Sequence, residues 1–222
     1  MRDFEAISAV RHESVLSPVE VDRVALLFAD DGKPGERLGA DRLVGFVDLI
    51  GKSGPVGGLA SKLLAKPAFA ARALLLDKSA RGNWALGWHQ DRTIAVAERI
   101  EAAGYGPWSV KRGQLHVQPP QSVIEAMVTL RIHVDRVDTD NAPLRVVEGS
   151  HRLGRLSDAE VIEAVACLPH LTNVAEPGDV WAYQTPIIHA SAATSVARRR
   201  VLQIDYACEP LPGGLEWSMR IN

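Results

Sequence analysis

Up to about residue 70 the apolar positions of this chain repeat with a helical period; beyond it they repeat mostly with the period of a strand. Ser17-Pro18-Val19-Glu20 combines a capping box with proline at the first helical position. Val21, Val24, Ala25 and Leu27 follow at helical spacing. A second helix is expected over 40–50, burying Leu43, Val44, Phe46, Val47 and Ile50. The stretch 51–58, GKSGPVGG, reads as a loop, and a third helix is expected over 59–65. Strands are then expected at 71–77, 127–137, 142–147, 171–175, 179–183, 186–190 and 200–207. In the second of these, Val128, Leu130, Ile132 and Val134 fall on one face, and Thr129, Arg131, His133 and Asp135 on the other. A second capping box, Ser157-Asp158-Ala159-Glu160, starts one late helix.

Many short strands with one late helix make the fold class mainly β with flanking α: a jelly-roll core covered by N-terminal helices. The 222 residues suit a single domain. Its expected parts are a mainly helical region over 1–69 and a core over 70–209, with an insertion at 93–125. With 25 basic and 27 acidic residues the net charge is −2, which lacks the basic excess of a nucleic-acid binder. Two cysteines, Cys167 and Cys208, cannot build a disulfide framework or a four-cysteine zinc site. No secretory signal is read at the N-terminus, and the apolar region 59–76 is interrupted by Lys62, Lys66, Pro67 and Arg72. The expectation is a cytoplasmic protein with no membrane partner.

The candidate chemistry begins at Trp88-His89-Gln90-Asp91. Residues two apart on a strand share a face, so His89 and Asp91 can reach one metal ion together. A second histidine would complete a two-histidine, one-carboxylate facial triad, which suits iron(II) and leaves positions open for O2 and a co-substrate. The candidates are His116, His133, His151, His170 and His189. His189, in PIIHAS, is the first choice, because Arg198-Arg199-Arg200 and the strand VLQIDYA follow it. An arginine there is placed to bind the distal carboxylate of 2-oxoglutarate through its planar fork. Strand alternation favours Arg199, and a one-residue change of register would favour Arg200. Ser191 points the same way as His189 and can donate to the same carboxylate.

Three ordered blocks carry a wider resemblance: DKSARGNWALGWHQD, VTLRIHVDRVDTDNAPLRVVEGSHRLG, and GDV through IDYA. Over roughly 70–215 the chain resembles the phytanoyl-CoA dioxygenase family of iron(II)/2-oxoglutarate oxygenases. The resemblance implies a double-stranded β-helix (jelly-roll) core. It implies His89, Asp91 and His189 as iron ligands, Arg199 with Ser191 as the 2-oxoglutarate anchor, and Gln90, the residue many members carry between the first two ligands, as a further co-substrate contact. It further implies hydroxylation of a small molecule by O2, with release of succinate and CO2. Asp91 stands where related halogenases have a small residue, which disfavours halogenation. The usual Asn-Gly before the central strand is Asn141-Ala142 here, and the spacing from His189 to Arg199 is one short of the commonest value.

Two other readings compete: a cupin-like metalloenzyme that does not use 2-oxoglutarate, and a non-catalytic jelly-roll binding protein. His151, in Gly149-Ser150-His151, is expected to bond backbone in a turn. His133 is expected either inside the barrel or on a solvated face. His116 is read as a substrate contact or a surface residue, while His12, His170, Lys78 and Asn83 are read as surface or turn. Tyr105, Trp108, Lys111, Arg112, His116 and Gln118 line an insertion expected to shape the substrate pocket.

Overall fold

The computed structural model describes residues 4, 8–29, 35–79, 82–193 and 198–222. Along the chain run β1 (Ala9–His12), α1 (Pro18–Ala25), β2 (Gly35–Leu38), α2 (Ala40–Leu43), α3 (Val47–Ile50) and α4 (Pro55–Leu63). Next come β3 (Phe69–Lys78), β4 (Leu86–His89), β5 (Ile94–Ala95), β6 (Trp108–Lys111), β7 (Gln114–Val117) and α5 (Gln121–Glu125). The chain finishes with β8 (Val128–His133), β9 (Leu144–Val147), α6 (Asp158–Cys167), β10 (His170–Asn173), β11 (Val180–Gln184), β12 (His189–Ser191) and β13 (Arg199–Ala207).

Two antiparallel sheets form the jelly roll. The larger has the order β1-β11-β8-β13-β3-β2 and the smaller β10-β9-β12-β4. The insertion folds as a third sheet, β5-β7-β6. Register sorts each strand of the large sheet into two faces. Leu130, Ile132, Leu202, Ile204, Val180 and Ala182 point outward and pack under the N-terminal helices. The inward face carries the polar residues, Arg72 and Lys78 on β3, Asp205, Gln203 and Arg199 on β13, and Thr129, Arg131 and His133 on β8, with Leu74, Leu76 and Val201 between them. The alternation expected for 127–137 is thus present, although the strand ends at His133.

Both capping boxes form at the expected places, ahead of α1 and α6. The helix expected over 40–50 is broken by a 3-10 turn at Val44–Phe46. Leu43 and Ile50 are buried, but Val44 and Val47 are exposed and Leu49 takes the inner position. Residues 55–58, expected in a loop, open α4 instead. Gly57, and Gly54 at the N-cap, serve close packing: a Cβ on Gly57 would lie 2.2 Å from the Gly51 carbonyl oxygen, and one on Gly54 would lie 2.4 Å from that of Asp48. Strands β1 and β2 lie in the region expected to be helical and extend the large sheet at both edges. Arg81, within the block DKSARGNWALGWHQD, lies outside the described residues. Among the described residues no helix is long and apolar enough to cross a membrane.

Candidate active site

His89 and His189 face each other directly across the β4–β12 pair. Facing residues of an antiparallel pair send their side chains to the same side about 4.5–5.5 Å apart, and the ring centroids here are 4.3 Å apart. Asp91, two residues past His89, brings a carboxylate oxygen to the same point. One ligand atom from each of His89, Asp91 and His189 lies within 4.8 Å of the others.

Each imidazole is held by its own strand. His89 Nδ1 donates to the Gly87 carbonyl oxygen at 2.8 Å, and His189 Nδ1 donates to that of Ile187 at 3.0 Å. A carbonyl only accepts, so both Nδ1 atoms carry the proton and both Nε2 lone pairs are left for a metal. Burial drives the His189 pKa down to about 4, outweighing the raising effect of Asp91, so the ring stays neutral and able to ligate. Burial by itself would raise the Asp91 pKa. The guanidinium of Arg72 opposes it, with His189 and His89 adding to the effect, and together they bring it to about 2.

Arg72 was not singled out in the sequence. Its Nη2 lies 3.1 Å from Asp91 Oδ2, and its Nε donates to Asp205, which also accepts from the Thr129 hydroxyl at 2.9 Å. The buried row Asp91, Arg72, Asp205, Thr129 fixes the orientation of the carboxylate from behind. An arginine inside ARALLLD, on a strand read as apolar, was the available signal.

Gln90 requires a correction. It was expected at the co-substrate, but its amide is used to fasten the backbone: Nε2 donates to the carbonyls of Gly154 at 2.8 Å and Pro186 at 3.0 Å, and Oε1 accepts from Leu156 N at 3.0 Å. It turns away from the cavity and pins the loop that presents His89 and Asp91.

The ligand group opens into a cavity of about 150 Å³ whose wall also carries Arg199, Ser191, Arg131 and Gln203. Arg199 is 2 % exposed; its Nη1 donates to the Ala142 carbonyl oxygen and its Nε has no partner among the described residues. Burial, then Arg131, lowers its pKa to about 9. Arg131 donates to Gln203 Oε1 at 2.7 Å and also leaves its Nε unpartnered. Arg200, the alternative to Arg199, faces the other way and forms a two-pronged pair with Asp135, Nη2 to Oδ1 at 2.7 Å. Its register position therefore excludes it from the cavity. Arg198 pairs with Asp77.

Lys78, read as turn or surface, is fully buried at the end of β3. Its Nζ donates to Ser191 Oγ at 3.0 Å and to the Ala192 carbonyl, and lies 4.8 Å from the Trp84 ring centroid. Burial, then Arg199 and Arg131, pushes its pKa down to about 7. Such a group, beside two guanidinium nitrogens that lack acceptors, fits a carboxylate-binding end of the cavity. The two imidazoles and one carboxylate at the other group of residues fit iron(II).

The remaining histidines are not brought to this ligand group. His151 bonds the Ser8 hydroxyl, with ring-nitrogen distances of 2.6 and 2.7 Å, rather than the expected backbone. His170 is exposed and bonds the Val165 carbonyl. His133 and His116 are both buried, and among the described residues neither ring nitrogen of either has a partner.

The family model described as phytanoyl-CoA dioxygenase (PhyH) matches residues 13–201. Among curated protein sequences none matches the chain. Among solved structures, EctD from S. alaskensis with bound Fe has a TM-score of 0.68 at 16% identity, covering 94% of this chain and 76% of that one. The epimerase SnoN, in complex with Fe3+, alpha ketoglutarate and nogalamycin RO, has a TM-score of 0.62 at 16% identity, covering 95% and 88%. The carbocyclase SnoK from nogalamycin biosynthesis has a TM-score of 0.65 at 18% identity, covering 92% and 81%. At these identities the likeness shows the shared fold. With the match spanning most of its length, the chain belongs to the phytanoyl-CoA dioxygenase family of iron(II)/2-oxoglutarate-dependent oxygenases.

Proposed function

We propose that His89, Asp91 and His189 hold the iron(II), and that Arg199, Ser191 and Lys78 receive the distal carboxylate of 2-oxoglutarate. The substrate is a small molecule and the reaction a hydroxylation. The observation that carries this reading is a single cavity wall that presents both groups: two tautomer-fixed imidazoles with a carboxylate, and a buried arginine with a free donor.

Bound there, iron(II) with 2-oxoglutarate and O2 supplies oxidative decarboxylation to succinate and CO2, coupled to oxidation of the substrate. The protein's own part is positional and electrostatic. The Nδ1 bonds to Gly87 and Ile187 aim both rings before any metal arrives. Arg72 keeps Asp91 ionised and directed. Ser191 hands one hydroxyl to the co-substrate end, and Lys78 backs that hydroxyl with a proton. Leu74, Leu76, Leu144 and Trp84 wall the cavity and limit water around the reacting groups. Small-molecule substrates are consistent with the solved structures of similar fold, where SnoN is in complex with nogalamycin RO and EctD with 5-hydroxyectoine.

The test is an anaerobic titration with iron(II) and 2-oxoglutarate, following the visible charge-transfer band of the chelate, then O2 admission with succinate assayed. The wild type should give both signals, and His89→Ala and His189→Ala neither. Iron binding at these residues without band or succinate would refute the assignment.

A further inference from the structure

The large-sheet edge and the insertion sheet together build a second polar group on the cavity, on residues the ligand and co-substrate groups do not use. Strand β2 brings Arg37 opposite Leu74, and β6 brings Lys111 opposite Gln114. Arg37 and Lys111 line the same cavity as His89 and Asp91. On β7, His116 shares a sheet face with Gln114 and lies on the face that Lys111 occupies.

The polar atoms here are not satisfied by the described residues. Among these, Arg37 Nε, Gln114 Oε1 and both ring nitrogens of His116 are buried with no hydrogen-bond partner, and His116 is 0 % exposed. Buried polar groups almost always find partners, so such a concentration of orphans calls for a ligand or ordered water. The charges point to the ligand's sign. Among the described residues Lys111 bonds the neutral Thr93 hydroxyl alone, at 2.8 Å. Among the described residues, the carboxylate on this cavity wall is Asp91, which Arg72 already engages. Iron(II) and the 2-oxoglutarate dianion cancel each other in charge, so together they neutralise none of the wall's cations. Five cations line this wall, Arg37, Arg72, Lys111, Arg131 and Arg199, against Asp91 there and Asp205 behind Arg72, and among the described residues neither Arg37 nor Lys111 forms an ion pair.

Volume agrees. The inner cavity, about 150 Å³, is smaller than the about 300–1,000 Å³ usual for ligand sites. It shares Arg37, Leu74, Leu76 and Trp84 with an outer groove of about 340 Å³ that also carries Arg112 and Glu36, the latter paired with Arg42. Joined, the two fall within that range. Arg37 stands at the junction.

We infer, resting on the iron and 2-oxoglutarate assignment above, that the primary substrate is an oxyanion, a carboxylate or a phosphate ester. Arg37 and Lys111 receive its charge at the junction of the two cavities, and the uncharged body lies in the outer groove against Trp84. His116 serves as a neutral hydrogen-bonding group behind that anion site.

The test titrates benzoate, phenyl phosphate and benzamide into the anaerobic iron(II)/2-oxoglutarate protein, read by calorimetry and by perturbation of the chelate band. At least one of the two anions should bind more tightly than benzamide by about tenfold or more, the scale of one charge-assisted hydrogen bond. Arg37→Gln and Lys111→Met should each remove that preference while leaving the 2-oxoglutarate band intact, and Arg37→Lys should keep part of it. Preference for benzoate names a carboxylate substrate, and preference for phenyl phosphate names a phosphate ester. Benzamide binding as well as the anions, no anion binding, or an anion preference surviving in the Arg37→Gln/Lys111→Met double variant would overturn the inference. Should the chelate band never form, the preceding assignment fails, and the same titration of the metal-free protein and its variants still decides the anion site.

Discussion

Arg72 touches Asp91 with one nitrogen, Nη2 to Oδ2 at 3.1 Å, and Asp205 with another. One guanidinium thus serves a metal ligand and a fully buried second carboxylate. Arg72→Met should weaken iron(II) binding by about 10- to 100-fold, the usual consequence of losing an outer-shell partner. It should also destabilise the fold by about 3–5 kcal/mol, because Asp205 is left buried and unpaired. Adding Asp205→Asn should recover part of the stability and none of the iron affinity. Urea melts and metal titrations separate the two effects, and recovery of both together would contradict these roles.

Arg199 and Arg200 are neighbours with opposite fates. Arg199→Gln should lower 2-oxoglutarate affinity by about 10- to 100-fold, corresponding to about 1.5–3 kcal/mol for a charged hydrogen bond. Arg200→Gln removes a partly exposed pair with Asp135, worth about 0–1 kcal/mol, and should leave that affinity unchanged. Titration of the chelate band in each variant makes the comparison, and a silent Arg199→Gln would mean that the anchor lies elsewhere.

His133 and His116 set a pH dependence. Burial, reinforced at His133 by Arg131, Arg199 and Arg11, holds its pKa well below the ordinary 6.5. Burial, then Arg72, Lys111 and Arg37, lowers His116 to about 4. Between about pH 4 and 6.5 the unfolded chain binds more protons than the folded one at these sites, so stability is full above 6.5 and falls with acidification. The urea midpoint of the metal-free protein should drop from pH 7 to pH 5, and less steeply in His133→Leu. A midpoint that rises over that interval would contradict the sign.

Ala142 sits at φ +48°, in the left-handed region where a side chain is disfavoured. Its carbonyl is the acceptor for Arg199, so the strained turn is coupled to the co-substrate end. Ala142→Gly should relieve strain of about 1–2 kcal/mol, partly offset by unfolded-state entropy. A higher Tm with unaltered 2-oxoglutarate affinity is the expected result, and a lower Tm would show that no strain is stored there.

Much of this site was legible because a strand's period of two is a rigid rule. It places Thr129, Arg131 and His133 on one face, and it separates Arg199 from Arg200, before any coordinates are seen. The His-x-Asp spacing was legible for the same reason. Three things were not. Strands β1 and β2 are edge additions of four residues each, too short for a periodic signal, and β2 carries Arg37. The glycines at 54 and 57 look like loop formers, yet backbone packing demands them where the start of α4 closes on the end of α3. Arg72 and Lys78 lie on a strand that reads as apolar, and their meaning depends on Asp205 and Ser191, over a hundred residues away.

The small sheet ends at β4. His189 is therefore woven between two neighbours, β9 and β4, whereas His89 hangs on the margin and Asp91 beyond it. A metal bridging the three acts as a clasp on a selvedge. Iron(II) loading should slow amide hydrogen exchange along 86–91 more than along 189–191, where the weave alone already protects the backbone.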